Sequence, residues 1–499
     1  MLLKDKSFLL RIAVCFLAGA VLVLAFSPFS YGYLAFFCIA VLFYICKDLS
    51  ATQALYCGLA FGYGQFGFGV SWVYVSLHTY GGMPFWMGAI AVVLFAGILA
   101  IFVAFATYTA AKLVDNGGLA RLVMLAFTWV VFEWTKSWIF TGFAWLELGV
   151  TQTSTLLFSY APIGGVYLLS LLVAVTAASL VALACADRKL IPSLLIALII
   201  ASGYLLDKIQ WSNHSGRAIT VGVVQGNVPI NEKWQAAYRD GVIAKLRSLS
   251  LQLLSRQTAS NMPLDLLVWP ETALPIYHQQ TDDDFWDSIV PNGLPLLTGI
   301  VDSPQYSETY NAAILYCDGK KQIYRKQHLV PFGEYLPMRF ALNWLLDYLQ
   351  LPMSDFTSGQ QNRNLGCSET VKIGLSICYE DAFASEVRNA VGDATVLVNI
   401  SEDAWFGDSL APHQRLQMGQ MRARELARPM VRSANSGPSA FIDERGRVIA
   451  QTPQFTALAL AQSIQPMTGT TPYKKFGSWA VLLSLLVCVV VLAIKLRRR

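Results

Sequence analysis

Long apolar runs separated by short polar loops fill the first 210 residues, and then the pattern changes. A helix needs about 20 apolar residues to cross about 30 Å of hydrocarbon. Such runs stand near 8–27, 31–46, 52–72, 87–111, 119–138, 162–185 and 189–207, with an eighth at 477–495. The pattern predicts eight membrane-spanning helices, seven of them before residue 210. The second run is short, and the second and third are candidates for tilted or re-entrant segments. The first opens with Lys4 and Lys6 like a secretory signal, but Phe26-Ser27-Pro28 is a poor cleavage site and further spans follow. It reads as an uncleaved anchor.

From residue 217 the period shortens. Ala218–Gln225 and Leu264–Trp269 read as strands, 236–256 as an amphipathic helix and 282–291 as a short helix. Runs at 295–301, 311–317 and 320–325 read as strands, the last two turning at Asp318-Gly319. Pro337 and Met338 open a helical segment, 350–365 reads as a polar loop, and strand 370–377 ends at Cys378 with a helix after it. Strand 394–400, helix 411–427 and hairpin-like strands at 429–434, 438–443 and 447–451 follow. Such alternation over about 250 residues predicts a layered α/β domain with a substantial core. The expected organisation is a transmembrane helical domain over 1–210, an extramembrane domain over 216–470 and a last transmembrane helix over 477–495.

Composition supports this division. Of 499 residues, 55% are hydrophobic and 14% charged, against about 25% charged in a soluble domain. The net charge of +5 is concentrated in loops and termini. With eight spans, Lys4, Lys6, Arg11, Lys47, Lys112, Arg121, Arg188, Lys189 and the terminal Lys495–Arg499 cluster all fall on one side. Loops 73–86 and 139–161 contain neither Lys nor Arg. The bias toward cytoplasmic Lys and Arg puts both termini in the cytoplasm and residues 208–476 across the membrane. In a bacterium with an inner membrane that side is the periplasm. The opposite loops carry Trp72, Tyr74, Tyr80, Phe85, Trp86, Trp138, Phe143 and Trp145, which read as an interfacial aromatic belt. Glu133, Lys136 and Glu147 near that face are open to two readings, headgroup contacts or charges paired with each other. No series of charges crosses the membrane, which argues against a carrier. No basic strip with interleaved aromatics occurs in the extramembrane part, which argues against a nucleic-acid partner.

Three polar groups in the extramembrane domain follow strands. Trp269-Pro270-Glu271 ends one, Arg325-Lys326 ends another ahead of His328-Leu329-Val330-Pro331-Phe332-Gly333-Glu334, and Ile377-Cys378-Tyr379-Glu380 ends a third. Singly, Glu271 reads as a solvated turn residue and Cys378 as a small core residue. Together they form a set. A thiol near its free pKa of about 8.5 needs a base. A Glu in a partly apolar pocket is expected to have its pKa raised and to take that proton. A Lys beside both stabilises thiolate and oxyanion. Of nine cysteines, Cys317, Cys367 and Cys378 lie in this domain. Neither a CxxC nor a Cys/His metal spacing is present, so no metal or cofactor is expected. Whether Cys317 and Cys367 pair is left open.

Trp-Pro-Glu, then the Lys with His-Leu-Val-Pro-Phe-Gly-Glu, then Ile-Cys-Tyr-Glu, in this order, resembles the nitrilase superfamily. Over its whole length the chain is similar to the membrane-embedded branch, the apolipoprotein N-acyltransferases. The resemblance implies an α-β-β-α sandwich with Glu271 as general base, Lys326 as oxyanion stabiliser and Cys378 as nucleophile. Glu334 then supports the lysine, and Tyr379 and Glu380 shape the pocket. Asn399 to Gly407 and Ala434 to Gly437 also look like family segments. Trp234, Trp405 and Asn435 are pocket candidates, with core packing as the equal alternative. The implied reaction moves an acyl chain from a phospholipid, with phosphatidylethanolamine the expected donor, through a thioester to the S-diacylglyceryl-cysteine of an apolipoprotein. A monomer is expected. The rival readings are a membrane-anchored nitrilase-type amidase and a transporter or receptor with an inactive sensor domain.

Overall fold

The computed structural model describes all residues except 1–4, 186, 188, 290–292, 306–307, 338–354, 361–363, 369–370 and 498–499. The helical segment expected after Pro337 lies outside the described residues, as does half of the 350–365 loop. So do Lys4, Arg188, Arg498 and Arg499.

The chain divides into two compact units, residues 1–74, 84–210 and 471–499 in one, and 75–83 with 211–470 in the other. The first is helical. It comprises α1 (Lys6–Leu22), α2 (Leu34–Cys46), α3 (Ala51–Gly69), α4 (Phe85–Leu113), α5 (Gly118–Lys136), α6 (Ala161–Cys185), α7 (Leu190–Asp207) and a final helix, Trp479–Arg497. Six of these are long and apolar enough to cross a membrane. The other two are the second and third sequence runs. At 13 residues, α2 rises only about 20 Å. In α3, small residues replace bulky apolar ones because its neighbours press on its backbone. A Cβ at Gly64 would lie 2.1 Å from the Phe16 carbonyl oxygen of α1, the close approach that small residues permit between membrane helices.

Glu133, Lys136 and Glu147 are buried and brace a turn. Lys136 Nζ donates to the carbonyls of Phe143 (2.7 Å) and Trp145 (2.8 Å). Glu133 Oε1 accepts from the Leu148 N–H at 2.6 Å, and Glu147 accepts from the Tyr167 hydroxyl at 2.8 Å.

The second unit is a layered sandwich. A short strand β1 (Asn213–His214) leads in. Strands β2 (Ile219–Gln225), β3 (Leu266–Val268), β4 (Leu274–Tyr277), β5 (Leu296–Gln305), β6 (Glu308–Cys317) and β7 (Lys320–Arg325) form most of one sheet. A second sheet contains β8 (Asn364–Gly366), β9 (Lys372–Ile377), β10 (Val396–Ser401), β11 (Met430–Ala434), β12 (Ala440–Ile442) and β13 (Val448–Gln451). Strand β14 (Leu458–Ile464) rejoins the first sheet beside β2, and β15 (Met467–Thr468) pairs with β1 on the way out. Strands β2, β3 and β5 run parallel, as do β9, β10 and β11. Strands β4, β8 and β14 and the β1–β15 ribbon were not evident in the sequence. β8 occupies the end of the expected polar loop.

Alternate residues of each sheet face the other. Val221, Val223, Val268 and Leu297 pack with Leu375, Ile377, Val398 and Ile400 in one buried core. The other face of the first sheet, with Val224, Leu267 and Trp269, packs on helix Arg239–Ala259 through Val242, Leu246 and Leu253. Helices Ala384–Val391 and Leu410–Leu426 cover the second sheet. The order is α-β-β-α. Because both faces are covered, β10 reads Val-Leu-Val-Asn-Ile, nearly continuously apolar, as parallel buried strands do.

Candidate active site

The site forms where strand ends of the two sheets meet. β3 ends at Val268, and Trp269-Pro270 carries the chain out of the sheet to Glu271. Gly299 of β5 passes behind this turn so closely that a Cβ would lie 2.3 Å from the Thr272 nitrogen and 2.7 Å from Glu271 main-chain atoms. Glu271 is buried and fully engaged. Oε1 accepts from Asn311 Nδ2 at 2.7 Å and lies 3.5 Å from Lys326 Nζ. Oε2 accepts from the Glu402 N–H, just past β10, at 2.8 Å.

Lys326 follows β7 and is 1% exposed. Its ammonium lies 2.9 Å from Glu334 Oε1, and Asn311 Nδ2 donates to that same oxygen at 2.8 Å. Glu334 Oε2 accepts from the Val330 N–H at 2.8 Å. Glu334 therefore closes its own loop and pins the lysine. Cys378 opens a short 3-10 turn directly after β9 and adopts φ +50°. That left-handed conformation costs a non-glycine residue about 1–3 kcal/mol and persists only where the surroundings enforce it. Asn399 Nδ2 and Arg415 Nη2 hold the Cys378 carbonyl at 3.2 and 2.6 Å, and Arg415 Nη1 lies 3.5 Å from the sulfur.

Electrostatics define the resting state. Burial pushes the Glu271 carboxyl up, but Lys326, the Asn311 amide, Arg415 and the Glu402 N–H outweigh it and hold the group below the usual carboxylate range. This corrects the sequence-based expectation of a raised Glu271, because the pocket that buries the carboxylate also supplies its partners. Burial, then the Glu271 charge, pushes the Cys378 thiol up to about 12 against Arg415 and Lys326. Burial opposes the Lys326 charge, and Glu334 and Glu271 overcome it, so the ammonium is held more tightly than usual. At neutral pH the set is carboxylate, ammonium and neutral thiol.

Glu380 is buried and heavily hydrogen-bonded. It accepts from the Tyr324 hydroxyl (2.7 Å), the Gln327 and His328 N–H groups (2.8 and 3.2 Å) and the Ile377 N–H (2.7 Å). It ties the lysine segment to the cysteine turn. Tyr379 is buried, its ring edge-on to Phe383 at 4.9 Å. Asn435 is also buried and structural. It bridges Val228 (2.8 Å) and Glu402 (3.1 Å). Trp234 follows Lys233 at the end of a short helix and is half-buried. Trp405 is half-buried too, and the Val75–Met83 segment reaches it. The Ser76 hydroxyl donates to the Trp405 carbonyl at 2.9 Å, and the Tyr80 ring meets its indole at 6.1 Å. Tyr80, read as part of an interfacial belt, belongs to the sandwich unit instead.

Sequence reasoning missed Asn311, Lys233 and Arg415, and singled out Glu402 only as part of the Asn399–Gly407 segment. Lys233 Nζ donates to the Glu271 carbonyl (3.0 Å) and to Glu402 (2.5 Å), so it ties the Glu271 turn to Glu402. A signal existed for Glu402, since Ser401-Glu402-Asp403 is another polar cluster at a strand end. Arg415, inside a helix, offered none. Cys317 and Cys367 form a disulfide that joins the end of β6 in one sheet to the residue after β8 in the other.

Residues 18–179 match the family described as apolipoprotein N-acyltransferase N-terminal domain, and residues 220–473 match the carbon-nitrogen hydrolase family. An apolipoprotein N-acyltransferase of Methylococcus capsulatus is 38% identical over 92% of this chain and 91% of its own length. One from Nitrosomonas europaea is 35% identical over 94% of each chain. A crystal structure of a carbon-nitrogen hydrolase from Helicobacter pylori aligns with 50% of this chain and 90% of its own, at 16% identity and a TM-score of 0.40.

Proposed function

The chain belongs to the apolipoprotein N-acyltransferase family, and from that premise we propose how its residues divide the work. It is a membrane enzyme that moves an acyl chain from a phospholipid, through a cysteine thioester, to the N-terminal S-diacylglyceryl-cysteine of an apolipoprotein. Cys378 is the nucleophile, Glu271 the general base and Lys326 the oxyanion stabiliser. The observation that carries this assignment is that Glu271 and Glu334 are each shared between Asn311 and Lys326, with the Glu271 and Lys326 charges both acting on the Cys378 thiol.

In the first half-reaction the thiol proton passes to Glu271 as sulfur bonds to the ester carbonyl carbon. The carbonyl oxygen becomes an oxyanion facing Lys326. As the intermediate collapses, the carbon–oxygen bond to glycerol breaks, and the leaving alkoxide takes the proton from Glu271. Lysophospholipid departs and the acyl thioester remains. In the second half-reaction the acceptor's neutral α-amine attacks the thioester carbonyl. Glu271 removes the extra proton from nitrogen and returns it to the departing Cys378 sulfur. An amide forms and the free thiol is restored. Each group acts twice in opposite directions, so one site serves both halves.

Phosphatidylethanolamine is the proposed donor, and the enzyme is proposed to act as a monomer. We place it in a bacterial inner membrane with both termini cytoplasmic and the sandwich unit periplasmic. The clustering of basic residues on one side of the spans supports this. The Cys317–Cys367 disulfide agrees, since such bonds persist in oxidising compartments. The test is incubation of purified enzyme with phosphatidylethanolamine and a diacylglyceryl peptide. Lysophospholipid and N-acylated peptide are expected in equal amounts, and neither from Cys378→Ala. Hydrolysis to free fatty acid without peptide acylation would overturn the reading.

A further inference from the structure

Lys326, the cation expected to serve the thiolate, is divided between two carboxylates, Glu334 and Glu271. A second cation faces the sulfur. Arg415, on helix Leu410–Leu426, is 1% exposed. Its Nη1 lies 3.5 Å from Cys378 Sγ while its Nη2 donates to the Cys378 carbonyl at 2.6 Å. One planar guanidinium thus grips the nucleophile at both its sulfur and its main chain, which the point charge of a lysine cannot do.

The grip is rigid because a buried square of charges sets it. Arg415 pairs with Asp381 (3.2 Å) and Asp403 (2.6 Å), and Arg432 pairs with the same two aspartates at 2.9 Å each. The Ser401 hydroxyl, which donates to Asp403 at 2.7 Å, also accepts from Arg415. Two positive and two negative charges cancel, so the square is neutral, but only Arg415 of the two arginines reaches Cys378. An isolated buried arginine would be costly, whereas a neutral, hydrogen-bonded square is tolerated.

We propose that Arg415 is the residue that positions Cys378 and stabilises the negative charge that develops on its sulfur, both as the thiol proton leaves in attack and as the thioester sulfur is expelled. This rests on the assignment of Cys378 as nucleophile. When the amine expels the sulfur, the carbon–sulfur bond breaks and its electron pair returns to Sγ, to which Nη1–H donates. The proton then arrives from Glu271. The main-chain contact holds the left-handed Cys378 backbone in place throughout.

The test is the pH dependence of Cys378 alkylation by iodoacetamide in the full-length enzyme, with thermal unfolding measured on the same samples. The charged groups acting on the thiol are Glu271, Arg415, Lys326 and Asp403, with Asp381 and Arg432 completing the square. In Arg415→Lys the alkylation midpoint should rise. Each pH unit by which it rises should slow the reaction at neutral pH about tenfold, because the thiolate fraction falls in proportion. Arg432→Lys perturbs the same square without touching Cys378, and should lower the unfolding temperature while leaving the midpoint in place. Asp403→Asn, which is isosteric, removes a negative charge that opposes ionisation and should lower the midpoint, whether or not Arg415→Lys folds. An unmoved midpoint in folded Arg415→Lys, or in Asp403→Asn, overturns the proposal. Acylation of Cys378 in the wild type tests the nucleophile assignment separately.

Discussion

The Tyr324 hydroxyl donates to Oε1 of Glu380 at 2.7 Å, joining the strand that leads into Lys326 to the turn that carries Cys378. The two belong to different sheets, so this contact helps hold the Lys326 segment against the Cys378 turn. Tyr324→Phe should lower stability by about 1–3 kcal/mol, since it leaves a buried acceptor one donor short. Glu380→Gln should do more, because Tyr324, Gln327, His328 and Ile377 all donate to this carboxylate and an amide turns one acceptor into a donor. Chemical denaturation, read beside the rate of thioester formation, orders the two variants.

The proposed mechanism has Glu271 remove the thiol proton, so its loss should appear in the pH profile. In Glu271→Gln, thioester formation should fall by about 100- to 10,000-fold. The residual rate should then climb with pH, because solvent hydroxide must ionise a thiol that burial still holds above its usual range once the Glu271 charge is gone. The wild-type rate should stay level through the neutral range and fall only in acid. The folded Glu271 carboxyl lies below its unfolded value, so the carboxylate and the stability it contributes are lost as pH drops through the folded value. Stopped-time assays across pH compare the two profiles.

Gly299 leaves no room for a side chain behind the base. Gly299→Ala should cost about 1–3 kcal/mol through overpacking. Displacement of the Glu271 turn should also slow acylation by about 100-fold. Restoring stability with a lower assay temperature should leave most of the rate loss in place.

The Cys317–Cys367 bridge closes a separation of 50 residues between the two sheets. Cys317→Ser should destabilise the sandwich unit by roughly 4 kcal/mol on the chain-entropy account. Below its lowered unfolding temperature the variant should still acylate, since neither cysteine touches the site. Thermal unfolding with and without reductant, compared with the variant, checks this.

The most legible parts of the sequence are those whose signal is local. Trp269-Pro270-Glu271, Arg325-Lys326 and Ile377-Cys378 each announce a strand that stops at a chemical group, and chemistry alone suggests their convergence. The runs that form α4 and the final helix are equally plain, because lipid demands continuous apolar length. What stays hidden depends on register between distant segments. Asn311 lies inside a strand and meets Glu271 only because β6 runs beside β5, while Glu402 meets it only where the two sheets face each other. The ionisation of Glu271 is illegible for that reason, since burial is foreseeable and its partners are not. Val75–Met83, read as an interhelical loop, gives no sign that Tyr80 meets Trp405.

The proposed chemistry turns on an acyl chain resting on Cys378. Mass spectrometry of the peptide carrying Cys378, after incubation of the enzyme with phosphatidylethanolamine and no acceptor, tests this most directly. The expected result is a peptide heavier by one acyl group, labile to hydroxylamine, that disappears when a diacylglyceryl peptide is added. An unmodified Cys378 peptide alongside released lysophospholipid would contradict it.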